Sequence, residues 1–213
     1  MRQPMHIAVV GGSGSGKTWL AERLCSAFAP GATRLSLDDF YHDLSALPME
    51  ARERVNFDDP AAIDWGAVRQ AMEALSDGNS AFLPAYDFAT HTRLASRRWV
   101  ASNDLLVWDG LWLLHDGWLR DRFTLTFFVD CTVQERLARR QARDVRERGR
   151  LPDAVRRQFE EQVEPMHEKF VQPQRAGATR CVNSPLSEQA LELLLGEARA
   201  CLQRPEPQVR PER

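Results

Sequence analysis

The chain has 213 residues, 43% apolar and 27% charged, with a formal charge of −2 at neutral pH. That is the composition of a soluble globular protein with a full core, expected as one domain. The charge balance argues against nucleic acid or anionic membrane as a general partner. No apolar run approaches the roughly 20 residues that span a bilayer. Cys25, Cys131, Cys181 and Cys201 show no C-x-x-C spacing, so they read as reduced thiols and not as a zinc or disulfide framework.

In chain order, His6 to Val10 is an apolar run of strand length close behind the first residue, which leaves no room for a signal peptide; a cytoplasmic location is expected. Gly11, Gly12, Ser13, Gly14, Ser15, Gly16, Lys17 and Thr18 follow, a complete phosphate-binding loop of the form G-x-x-x-x-G-K-[ST], and a helical pattern starts at Trp19. Strand, glycine loop and helix supply the context that the motif requires. Its backbone N–H groups and the helix N-terminus would hold nucleotide phosphates. Lys17 would reach the β- and γ-phosphates and the Thr18 hydroxyl would bind Mg²⁺. Of the 28 basic residues only Lys17 and Lys169 are lysines, so background usage would not place one here. These residues predict a site for a nucleoside triphosphate, ATP or GTP.

A short strand at Thr33–Ser36 leads to Asp38 and Asp39. A carboxylate at a strand end facing the γ-phosphate can take the proton of an acceptor hydroxyl, although Asp at such a position also suits a turn. Asp59-Pro60 opens a helix expected to run to about Ser76, with turn residues Asp77 and Gly78 after it. The segments 55–60 and 84–93 mix aromatic rings with Asp58, Asp87 and His91. Rings stack a base, a carboxylate holds ribose hydroxyls, and a neutral imidazole offers one donor and one acceptor; ordinary loop packing is the alternative. Leu105–Trp108 and Leu125–Val129 read as buried strands. Thr132 caps an arginine-rich helix closed by Gly149, and Pro152 starts another. Arg136, Arg140 and Arg143 share a face of the first and could neutralise a triphosphate. Pairing with Glu135, Asp144 and Glu147 on a solvated helix is the alternative, and Arg136, Arg139 and Arg146 are the candidates for plain surface. Ala178–Val182 reads as a last strand and Ser187–Leu202 as a last helix. Alternation of this kind predicts an α/β fold, a mostly parallel sheet with helices on both faces, with ligands at the strand C-termini. The domain is expected over 1–203, with a lid near 136–158 and a disordered proline-rich tail at 204–213.

Several segments together resemble the uridine kinase (uridine-cytidine kinase) family. Residues 36–41 are similar to its S-x-D-S-F-Y, 56–60 to N-F-D-H-P, 86–93 to Y-D-F-x-x-H-x-R and 143–150 to the lid segment R-D-x-x-E-R-G-R. Pro165 to Pro173 looks like the stretch after that lid. The resemblance implies a P-loop kinase that uses ATP (or GTP) and Mg²⁺ to phosphorylate the 5′-hydroxyl of uridine or cytidine. It makes Asp38 the general base, and puts Tyr41 and Asp58 at the ribose. Phe57, Tyr86 and Phe88 would shape the base pocket, and His91 would read the pyrimidine edge. Arg143 and Arg148 fall with Lys17 in the catalytic set, Arg140 at the nucleotide, and Arg150 and Gln158 on the substrate side. It also implies a homo-oligomer, a tetramer in the family, with no nucleic acid or membrane partner. Two positions depart from the pattern. Asp109 stands where the family usually has Glu, and is expected to serve the metal with Thr18, through a water. Asp39 stands where Ser is common; it would either raise the pKa of Asp38 or face away. Kinases of the same fold with another acceptor (nicotinamide riboside, pantothenate, a sugar phosphate) and a hydrolysing regulator remain as rival readings.

Overall fold

Strands too apolar to leave a face to water must be covered on both sides, and that requirement sets the architecture. In the computed structural model, which describes residues 3–203, β1 (Met5–Val10) leads into α1 (Lys17–Ala27) and β2 (Ala32–Ser36). Next come α2 (Met49–Glu53), α3 (Trp65–Ser76) and four short strands, β3 (Ala81–Leu83), β4 (Tyr86–Asp87), β5 (Thr92–Arg93) and β6 (Arg98–Val100). The second half holds β7 (Leu105–Gly110), α4 (Gly117–Arg120), β8 (Leu125–Asp130), α5 (Val133–Arg148), α6 (Pro152–Gln158), α7 (Glu164–Met166), β9 (Arg180–Asn183) and α8 (Glu188–Gln203). Five strands form one parallel sheet in the order β2-β7-β1-β8-β9, the α/β class expected from the sequence.

Side chains alternate across the central strands. Met5, Ile7 and Val9 of β1 join Leu105, Val107 and Phe127 in a core under α1 and α8. Ala8 and Val10 join Leu35, Leu106, Trp108 and Phe128 in a second core under α3. Helices therefore seal both faces, through Leu20 and Leu24 of α1, Leu194 of α8, and Val68 and Met72 of α3.

The helix expected from Asp59 is two pieces. Asp59 caps a 3₁₀ turn, Pro60–Ala62, and Asp64 caps α3 by accepting from the Ala67 amide. Between them Ile63 bridges to Tyr41, which pulls the chain out of helical geometry. No element is expected between Asn79 and Leu105, yet β3 pairs with β6 and β4 with β5 as antiparallel ladders. Runs of two or three residues are too short for alternation to show. From Pro152 to Gly177 the chain stays helical through π turns at Phe159–Val163 and His167–Val171. Thr132 and Gly149 cap α5 as expected, the glycine at φ 64°. Arg146 is exposed as expected, but Arg136 is 1% exposed and paired with Glu164 at 2.6 Å, so it is no surface cation. The expected tail at 204–213 lies outside the described residues.

Candidate active site

Strand register brings the functional segments to one edge of the sheet. Val10 pairs with Gly110 and Ser36 with Asp109, so the glycine loop, Asp109 and the turn carrying Asp38 all emerge at the C-terminal end. Gly110 permits this approach: a Cβ there would meet the Leu37 Cβ at 2.5 Å. Gly14 and Gly16 take φ of 80° and 98°, which lets the loop wrap ahead of α1. Arg139 fixes the loop from behind, donating to the Gly14 and Ser15 carbonyls at 3.4 Å and to Ser184 Oγ at 2.7 Å.

A small inner cavity of about 70 Å³ collects most of the side chains singled out in the sequence. Ser13 and Lys17 line its loop side, with Asp38, Tyr41 and Asp58 across from them. Phe57 closes the remaining side together with Tyr86, Phe88 and His91 of the arm, the segment 81–100 that carries β3 to β6. Arg140, Arg143 and Arg148 come down from α5, Arg150 from the connection after it and Gln158 from the end of α6, and Leu111 completes the wall. Gly11, Gly12, Gly14, Ser15, Gly16, Thr18 and Asp109 are not part of that lining; they form the loop and the end of the strand beside it. The cavity opens outward into a cleft of about 1040 Å³ between the arm and α6, with Phe57, Tyr86, Phe88 and His91 on the shared wall.

Asp38 faces the cavity while protein crowds bulk water away from it. Burial raises its pKa, the Asp109 charge adds to the rise, and Lys17, Arg143 and Arg148 oppose it. Lys17 is 8% exposed, and burial lowers its pKa against the pull of Asp38 and Asp109. Asp39 turns aside to Arg98 at 3.4 Å. The Tyr41 hydroxyl donates to the Phe57 carbonyl at 2.9 Å, so Tyr41 holds the loop that carries Phe57 and Asp58. The Tyr86 hydroxyl is buried without a hydrogen-bond partner, and burial pushes its pKa to about 12. A protonated phenol unpaired at a cavity wall is open to a hydrogen bond with water or with a bound molecule. His91 stacks on Phe57 with ring centroids 4.6 Å apart and sits at φ 55°, a left-handed backbone uncommon outside glycine. Burial, then Arg150 and Arg148, lower its pKa, which keeps the imidazole neutral.

Sequence reasoning underrated three residues. Asp144 is fully buried and gathers the lid cations: Arg143 lies at 2.8 Å, Arg148 and Arg150 at 3.6 Å, and Arg140 at 3.7 Å. The i, i+4 offsets to Arg140 and Arg148 could have revealed it. Arg140 also donates to Ser13 Oγ at 3.0 Å and lies 3.6 Å from Asp58, tying the glycine loop, α5 and the segment of Asp58 together. Arg93 ties the arm to the core through the Tyr41 carbonyl at 2.8 Å and Asp64 at 3.1 Å. Arg34 grips Asp109, with Nε 2.9 Å from Oδ1.

Thr18 donates its hydroxyl to Asp109 Oδ2 at 2.9 Å. A hydroxyl and a carboxylate, both hard oxygen donors, fit a magnesium ion whose other ligands are nucleotide phosphate and water. Among the described residues no group of three or more His, Cys, Asp or Glu converges as a self-sufficient metal cluster. No helix among them is long and apolar enough to cross a membrane.

Residues 6–188 match the phosphoribulokinase/uridine kinase family. A uridine kinase of Deinococcus deserti is 39% identical over 202 residues, covering 94% of this chain and 98% of that one. A uridine kinase of Halobacterium salinarum is 37% identical, covering 88% and 84%. Among solved structures, one described as a fructose transport system kinase from Silicibacter superposes with a TM-score of 0.68 at 20% identity, over 87% of this chain and 91% of that one.

Proposed function

The chain belongs to the phosphoribulokinase/uridine kinase family of P-loop phosphotransferases, and from that premise we propose that it transfers the γ-phosphoryl group of ATP to the 5′-hydroxyl of uridine or cytidine. One observation carries the choice of acceptor. Asp38, Asp58, Tyr86 and His91 share a single cavity with Lys17 of the loop, which supports an acceptor site within reach of the triphosphate.

Each residue has a task on this reading. The loop amides and Lys17 bind the β- and γ-phosphates. Asp58 takes the ribose hydroxyls, and Tyr41 keeps its loop in place. Phe57, Phe88 and Tyr86 shape the base pocket, and neutral His91 presents one donor and one acceptor to the pyrimidine edge. Asp38 accepts the 5′-hydroxyl proton as that oxygen attacks the γ-phosphorus and the bond to the β–γ bridging oxygen breaks, releasing ADP. Arg140, Arg143 and Arg148 neutralise charge on the transferring group, while Arg150 and Gln158 close the acceptor side. Thr18 and Asp109 would hold Mg²⁺, which supplies neutralising charge at the phosphate oxygens. Closure of the lid over 136–158 would exclude water and limit wasteful hydrolysis.

The test is ADP release from MgATP with uridine, cytidine, adenosine, nicotinamide riboside, pantothenate or no acceptor. Uridine or cytidine should stimulate it, with UMP or CMP appearing in step. Stimulation by another acceptor alone would keep the kinase and refute the pocket assignment. A rate indifferent to every acceptor would favour a hydrolysing regulator.

A further inference from the structure

Asp109 is bound more tightly by its own protein than a metal-side carboxylate requires. Besides the Thr18 hydroxyl on Oδ2, Arg34 makes a two-pronged contact, Nε to Oδ1 at 2.9 Å and Nη2 to Oδ2 at 3.2 Å. The strand pattern places it there. Ser36 pairs with Asp109, so Arg34 lies two residues back on the adjacent strand, on the same face and on the diagonal that a long side chain spans. Asp109 is 2% exposed, and in that setting a guanidinium fork is a strong partner. Arg34 has a second anion in range, Glu22 of α1 at 3.9 Å, whose side chain is largely exposed. A metal ion drawn to Asp109 must therefore share that carboxylate with a fixed cation.

We propose that Arg34 is a positioning residue that tunes the metal side of the site through Asp109. It holds the short carboxylate against Thr18 in the nucleotide-free protein, and it weakens divalent-cation binding by contributing a positive charge beside it. The metal then depends more on the nucleotide's own phosphates than on the protein. This inference rests on the reading of Thr18 and Asp109 as metal-side residues.

Mn²⁺ binding to the full chain with ADP and no acceptor, read by the electron paramagnetic resonance of free Mn²⁺, tests it without turnover. Arg34→Met should bind Mn²⁺ about tenfold more tightly, the scale of one unit charge removed about 6 Å from a divalent ion when solvent screens the pair nearly as in bulk water. Arg34→Lys, which keeps the charge, should stay near the parent. Asp109→Asn should weaken binding, and adding Arg34→Met to it should gain less than Arg34→Met gains in the parent, since only the share of the effect that runs through the carboxylate is lost. Unchanged or weaker Mn²⁺ binding by Arg34→Met, in protein that still binds ADP, overturns the proposal. If that variant does not fold, Arg34→Gln is judged by the same sign. If Asp109→Asn leaves Mn²⁺ affinity intact, the metal-side reading of Asp109 fails instead.

Discussion

Asp38 pays for its position with its own ionisation. A carboxyl whose pKa is raised on folding disfavours its charged form in the native state, so at neutral pH it costs stability, and the cost fades as pH falls. Asp38→Asn should thus leave the melting temperature unchanged or higher at pH 7.5 and keep ADP binding, while turnover falls at least about a hundredfold. Near-normal turnover would remove Asp38 as the base. His91 carries a different burden, a left-handed backbone that costs roughly 1 kcal/mol or more. His91→Ala should raise the nucleoside KM well above that of the parent with the ATP KM little changed. Equal shifts in both constants would place the imidazole outside the base pocket.

At the level of elements, α5 is two structures on one helix. Its first turns pack Arg136 against Glu164 and Phe159, and its last turns present Arg140, Arg143 and Arg148 around Asp144. Asp144→Asn removes the anion that lets these cations share one space. We expect kcat to drop on the order of a hundredfold from misplaced arginines, with ADP binding retained by the loop; an unaltered kcat would show that the arginines need no such anchor. The glycine loop, the three central strands and both caps of α5 were legible in the sequence because each rests on local chemistry: turn glycines, continuous apolar runs, a Thr before and a Gly after. The short strands β3–β6 were not, since runs of two or three residues show no alternation, and the contacts of Arg93 with Tyr41 and Asp64 that hold β5 to the core reach far along the chain. Nor was Arg34, whose partner lies 75 positions away and is set by register. Arg136 looked like surface because its partner Glu164 is likewise distant in sequence.

For the molecule as a whole, two of the three buried histidines, His6 and His167, contribute a marked response to acid. His6 receives the Trp108 indole N–H at 3.1 Å, contacts Ser76, and has its pKa lowered from 6.5 to about 4 by burial. His167 is likewise lowered to about 4, by burial and then by Arg136. The unfolded chain binds protons that the native state refuses, so stability is complete above about pH 6.5 and is lost as pH falls toward 4. Each contributes up to about 3 kcal/mol across that window. Urea unfolding between pH 7.5 and 4.5 should show the slope, and His6→Gln should flatten it by one proton; an identical slope would mean that His6 titrates alike in both states. The near absence of lysine has a practical consequence. Lys17 sits inside the phosphate loop with a depressed pKa, and Lys169 is exposed. An acylating reagent therefore finds two ε-amines in 213 residues, one guarded by bound nucleotide and one always open. The ratio of label at these two sites, read by mass spectrometry of a single digest, should become a gauge of donor-site occupancy with its own internal standard.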